Sequence, residues 1–193
     1  MDLTQGTFQE KKARSRKMML WFGMISMFMM FAGLTSAYIV SQERPDWLKT
    51  LILPKAFFYS TLVIIASSIT FHLAKNATQK GKQRDAGMFL VATLALAIAF
   101  VILQFVGFNE IIASKFYFTG SQSTVTTSFI YIITVTHLLH VAAGIIVLLV
   151  VIYNHFKQKY KQGQTLGLEL GAMFWHFLDI LWVFLFLFLY FLR

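Results

Sequence analysis

The stretch ELGAMFWHFLDILWVFLFLFLYFLR, Glu169 to Arg193, decides how the chain is read. From Leu170 to Leu192 it is an apolar run long enough to cross a bilayer, whose hydrocarbon core of ~30 Å needs about 20 helical residues. Its first half nevertheless carries His176 and Asp179, framed by Trp175 and Trp182. Ionisable groups at membrane depth are costly, so they face protein or water and have partners. At a helical advance of about 100° per residue, Trp175, Asp179 and Trp182 share one face, with His176 beside Asp179. The second half, Val183 to Leu192, is apolar all round. The rest of the chain must therefore supply partners for a buried His and Asp.

Composition agrees with a membrane setting. Hydrophobic residues make up 58% of the 193 and charged residues only 13%, which leaves no segment polar enough for a separate soluble domain. The net charge of +9 raises the question of nucleic acid. The basic residues sit in short segments beside apolar spans, so they read as topology signals, and no nucleic-acid partner is expected. Cysteine is absent, which excludes disulfides and thiolate metal sites.

The fold class is an all-α, polytopic membrane protein, one transmembrane domain of five helices over 1–193. Residues 1–17 form a polar tail ending in KKARSRK. That tail resembles a signal-peptide n-region, but the apolar run behind it, 18–40, is too long for an h-region, so a retained helix is expected. Further helices are expected over 56–74, 87–108, 126–153 and 170–192. Pro45 and Pro54 break the first connection, and the two inner connections, after the second and fourth helices, are basic. An N-in, C-out arrangement puts 12 Lys and Arg inside and leaves five outside: Arg44, Lys49, Lys55, Lys115 and Arg193.

The fourth helix carries His137 and His140, three residues apart on one face. At a rise of ~1.5 Å per residue, His137 lies ~16 Å and His140 ~21 Å from the outer end of their helix. Asp179 lies ~14 Å and His176 ~9 Å from the inner end of the next, antiparallel helix. The depths match, which predicts one buried polar cluster between helices four and five: His137, His140, His176, Asp179, Trp175 and Trp182. Glu169, at the start of the fifth helix, suits the positive end of the helix dipole. Three readings compete for this cluster: hydrogen bonds that fix packing, a haem held by facing histidines, and a proton or ion pathway. Small residues on the first helix (Gly23, Ser26, Ala32, Gly33, Ser36, Ala37) predict a close-packing face. Its methionines, Met24, Met27, Met29 and Met30, read as adaptable packing. No phosphate loop, nucleophile–base pair or metal-ligand spacing is visible, so catalysis is assigned to no residue.

The run Glu169-Leu-Gly-Ala-Met-Phe-Trp175-His176-Phe-Leu-Asp179-Ile-Leu-Trp182-Val-Phe resembles the last helix of subunit III of the haem–copper oxidases. Ser128-Phe129 with Thr136-His137-Leu-Leu-His140-Val and Gly144 is similar to that family's penultimate helix. Leu103-Gln104 with Glu110, and Ser68-Ile69-Thr70-Phe71, resemble the two helices before it. The match covers the chain after residue 18 and suits the compact five-helix form, which lacks two N-terminal helices of longer members. Two positions depart from the pattern. Ser26-Met27 stands where the family carries Ser-Glu, and Gly107 stands where it carries a further glutamate.

The resemblance implies an accessory subunit of a terminal oxidase in aerobic respiration, in a complex that reduces oxygen and pumps protons. It implies no redox cofactor or catalytic centre in this chain, with haem and copper in partner subunits. Expected partners are the catalytic subunit I, other oxidase subunits and membrane lipids. The family holds phospholipid in a cleft between its first two helices and the remaining bundle; Arg16, Lys17, Trp21, Trp47 and His72 are the candidate lipid contacts. The expected location is the bacterial inner (cytoplasmic) membrane. Alternatives are the equivalent subunit of a quinol oxidase or nitric-oxide reductase, a small proton-coupled transporter using His176 and Asp179, and a haem-carrying anchor.

Overall fold

The computed structural model describes residues 7–44, 47, 53–114, 124–160 and 165–192. Pro45, Lys49, Lys115 and Arg193 lie outside the described residues. Five helices follow one another: α1 Phe8–Val40, α2 Lys55–Gln79, α3 Gln83–Ala113, α4 Val125–Phe156 and α5 Leu166–Phe191, with a short 3-10 turn at Ser41–Glu43 after α1. Each is long and apolar enough to cross a membrane.

All five overrun the expected apolar limits at their basic ends. α1, at 33 residues, is ~50 Å long and exceeds the ~30 Å hydrocarbon core, so its basic first turns project beyond the apolar part. A capping box starts it: the Thr7 hydroxyl accepts from the Glu10 N–H and the Glu10 carboxylate accepts from the Thr7 N–H. Thr124 and Thr127 make the equivalent exchange at the start of α4. The expected basic loop between α2 and α3 shrinks to residues 80–82, because both helices continue through it. Gly81, at φ 74°, closes α2 with the Lys82 N–H donating to Ala77 O and the Gly81 N–H to Thr78 O. At the same end, Gln158 (φ 53°) closes α4 in the same way without a glycine.

The short turn makes α2 and α3 a tightly packed hairpin; α3 then packs on α4, α4 on α5, and α5 back on α2. α1 lies outside this four-helix ring, against α4 and α5. It runs parallel to α5 and is tied to it at both ends. At the basic end, Lys17 Nζ and Glu169 Oε2 pair at 3.1 Å; at the far end, Gln42 Nε2 donates to the Leu192 carbonyl.

The expected small-residue face of α1 is not the packed one. Gly23 and Gly33 have open space where a Cβ would stand, and Ser26, Ser36 and Ala37 are exposed. The buried side is Met24, Phe31, Thr35 and Tyr38, so α1 docks by inserting large side chains into the ring. Tyr38 is central, edge-on to Trp47, Phe129 and Phe188. The close approach lies between α4 and α5. A Cβ on Gly144 would stand 2.7 Å from Leu178 Cδ1 and 3.2 Å from the Trp175 ring.

Candidate functional site

The ring nitrogens of Trp175, His176 and Trp182 on α5 find their partners on α2, not on α4. Trp175 Nε1 donates to Ser67 Oγ at 2.8 Å, and Trp182 Nε1 donates to Thr61 Oγ1 at 3.1 Å. His176 Nδ1 and Ser68 Oγ are 2.6 Å apart. Trp175 and Trp182 are two turns apart on α5 and pair in reverse order with hydroxyls on α2, as antiparallel neighbours do. A row of ring N–H groups thus meets a row of hydroxyls along one seam. In a bilayer such interhelical bonds contribute roughly 0.6 kcal/mol each on average. Thr70 and Gln104 extend hydroxyl and amide bonding from α2 to α3: Thr70 Oγ1 lies 2.9 Å from Thr93 Oγ1, and Gln104 Nε2 donates to Ser60 Oγ at 2.9 Å.

The expected single cluster between α4 and α5 is therefore divided. His137 is fully buried and stacks on Trp182 at 5.1 Å between ring centroids, with Phe31 and Phe100 edge-on at 6.2 Å each. His140 Nδ1 donates to the Thr136 carbonyl of its own helix at 2.7 Å and packs on Phe31. These two histidines belong to an aromatic pocket, while His176 turns the other way, toward α2. Asp179 is 3% exposed, and neither carboxyl oxygen has a hydrogen bond among the described residues. The Ser68 hydroxyl, one turn away on the seam, meets His176 and makes no hydrogen bond to that carboxyl.

Glu169 sits at the basic end of α5, accepting from Thr165 Oγ1 at 2.9 Å as well as pairing with Lys17. Beside it a groove of about 560 Å³ opens between α1, α2 and α5. Lys17, Trp21, His72 and Lys75 line its polar edge and Met173, Phe177 and Ile180 its floor. Of the expected lipid contacts, Lys17, Trp21 and His72 meet here. Arg16 is exposed and does not line the groove, and Trp47 packs on Tyr38 at the far end. A cleft setting the first two helices apart is not what forms, because α2 is bound to both α3 and α5.

His155 was not singled out from the sequence, because the expected fourth helix stops before it. With α4 running on to Phe156, His155 is 2% exposed and its Nε2 donates to the Gln83 carbonyl at 3.0 Å. Gln83 Nε2 in turn donates to the Tyr160 carbonyl at 3.1 Å, so this end of α3 and α4 is clasped to the following segment. Burial pushes the Tyr160 phenol up, an effect opposed by its hydrogen bond with Asn154.

The family profile described as cytochrome c oxidase subunit III matches residues 3–193. The chain belongs to that family. Among curated relatives, cytochrome c oxidase subunit 3 of Pelomedusa subrufa is 30% identical over 203 residues, covering 96% of this chain and 74% of the relative. The rabbit protein, from Oryctolagus cuniculus, is 29% identical over the same span and coverage. That of Pelea capreolus is 28% identical over 205 residues, covering 97% of this chain and 75% of the relative.

Membership in the subunit III family carries the respiratory-chain setting and implies association with other oxidase subunits. The family is non-redox, and among the described residues no three His, Asp or Glu side chains group to hold a metal ion. The structure also gives the two departures a local setting. Gly107 faces the Phe57 ring, which a Cβ there would overlap, so the place of a family carboxylate is taken up by aromatic packing. Phe57 in turn meets Phe108 and Trp182 edge-on. Met27, in place of the other glutamate, is half-buried against the core.

Proposed function

We propose that this chain is the accessory, non-redox subunit III of a haem–copper terminal oxidase, packed on catalytic subunit I in a bacterial cytoplasmic membrane. In this reading the basic end faces the cytoplasm, the C-terminus faces out, and haem and copper reside in partner chains. The observation that carries the accessory role is the seam itself: the ring nitrogens of Trp175, His176 and Trp182 on α5 are spent on α2 hydroxyls. His137, His140, His176, Asp179, Trp175, Trp182 and Glu169 act as structural polar contacts. Twelve Lys and Arg on one side of the expected spans support the orientation.

The groove at the basic end takes a phospholipid. Lys17, Lys75 and His72 offer charge and hydrogen bonds to a headgroup phosphate, Trp21 sits at interfacial depth, and Phe177 and Ile180 receive acyl carbons. Arg16 and Trp47 are not part of this contact set.

Purification in mild detergent through a C-terminal tag, with mass spectrometry of co-purifying chains and lipids and an absorption spectrum, tests both parts. The accessory reading expects large partner chains with haem absorbance and a colourless subunit once separated. The lipid reading expects a tightly held phospholipid that Lys17→Ala with Lys75→Ala releases. A chain that isolates alone and carries proton-coupled flux in vesicles overturns the accessory reading. Because the chain has no cysteine, single cysteines introduced at Lys80 and Ser41 report orientation through labelling from one side.

A further inference from the structure

We propose that the groove between α3 and α4 at the basic end is a separate lipid site, which holds an anionic phospholipid by its phosphate at Arg84. The groove has a volume of about 820 Å³. Arg84, Met88, Val91 and Ala95 line it from α3, with Phe156 and Gln158 at the end of α4 opposite. The α3 positions recur every three or four residues, so they form one stripe along the helix. Arg84 stands one turn before the apolar run that opens at Gly87, which puts its guanidinium at headgroup level. From Gly87 to Ala95 the stripe descends ~12 Å at ~1.5 Å per residue, within one leaflet of ~15 Å. An acyl chain occupies one leaflet, whereas a partner's membrane-crossing helix would need a groove through both. The depth therefore favours a lipid as the occupant.

The charges at the mouth select the headgroup. Arg84 is exposed and forms no ion pair among the described residues, and no carboxylate is among the described residues that line the groove. Asp85, next along α3, is turned about 100° round the helix and does not line it. Lys80 and Lys82, both exposed, precede Arg84 in the turn between α2 and α3. A guanidinium meets phosphate through two parallel N–H bonds, and the neighbouring lysines favour a headgroup of net negative charge over a zwitterionic one. The wall behind the mouth is already built. His155 Nε2 donates to the Gln83 carbonyl at 3.0 Å and Gln83 Nε2 to the Tyr160 carbonyl at 3.1 Å, so no ordering is needed when a headgroup arrives. Below it, the short side chains of Ala92 and Ala95 leave room for acyl carbons. The site shares no lining residue with the groove beside Lys17 and needs neither that lipid nor the accessory role.

The test is native mass spectrometry of the protein in its native complex, titrated with phosphatidylglycerol or with phosphatidylcholine. Arg84→Ala, at an exposed position that tolerates change, is expected to weaken retention of one phosphatidylglycerol at least about tenfold. Ala95→Trp, also at an exposed position, fills the groove without touching the charge and is expected to release the same lipid. In the unaltered protein, phosphatidylcholine is expected to hold about fivefold less tightly. Lys17→Ala with Lys75→Ala, which addresses the other groove, should leave this lipid in place, so the two lipid readings fail separately. A photo-crosslinking residue in place of Val91 should attach to lipid in the intact complex. Phosphatidylglycerol retained equally in Arg84→Ala and Ala95→Trp, equal retention of the two lipids, or attachment from position 91 to a partner chain overturns the proposal.

Discussion

α1 and α5 are both apolar helices able to cross a bilayer, with mean hydropathy of 1.7 and 2.0 over their best windows. Yet 56% of the α5 window is buried inside the protein and only 17% of the α1 window. Hydropathy does not separate them, because lipid tails receive an apolar side chain as well as a neighbouring helix does. What distinguishes α5 is its polar and shape information. It carries Trp175, His176 and Trp182 for the hydroxyls of α2, and meets Gly144 of α4 at close range. α1 brings large side chains on one stripe and hydrogen-bonds the bundle chiefly at its ends. Its other faces, with Met19, Phe22, Ile25 and Met29 exposed, are open to lipid or partner chains.

Substitutions can break this contrast. Trp182→Ala removes a ring that is 1% exposed, touches His137, Phe57 and Phe100, and bonds Thr61. A loss of about 3–5 kcal/mol is expected, read as collapse of folded yield and of the SDS-unfolding midpoint. Gly144→Leu forces α4 from α5 against Leu178 and Trp175, and about 1–3 kcal/mol should be lost in the same assay. Ser67→Ala leaves the Trp175 N–H without its acceptor; a loss of roughly 0.6–1.7 kcal/mol is expected, and a double-mutant cycle with Trp175→Phe should recover the coupling.

On the α1 side the expected effects are smaller. Lys17→Ala opens an ion pair whose side chains are 44% and 29% exposed, for at most about 1 kcal/mol and less at high salt. Phe22→Ala, at a residue 67% exposed, should shift detergent stability by no more than about 0.5 kcal/mol. A large Phe22 effect confined to the intact complex would mark that face as a subunit contact and sharpen the comparison.

The number of spans, their order and the presence of buried polar groups on the fourth and fifth helices were legible in the sequence. A run of some twenty apolar residues has few structural options in a bilayer, where every backbone group must be bonded internally. The ends were less legible: helices that leave the apolar layer continue until caps such as Thr7 with Glu10, or turns such as Gly81, stop them. The departure at Gly107 was visible as a missing carboxylate, but not as a place for the Phe57 ring.

Which helix answers the α5 polar groups was decided only by tertiary structure. Depth along the membrane normal follows from residue count, and it put His137 level with Asp179. α2 and α4, however, run parallel to each other and both antiparallel to α5, so each offers side chains at the same depth. The choice between them is a matter of azimuth around α5. That angle is set by how all five helices pack: Trp175 and Trp182 turned to Ser67 and Thr61, Leu178 against Gly144, and α1 held outside the ring. One-dimensional spacing gives height and face. The neighbour met at that height and face comes from the packing of the whole bundle.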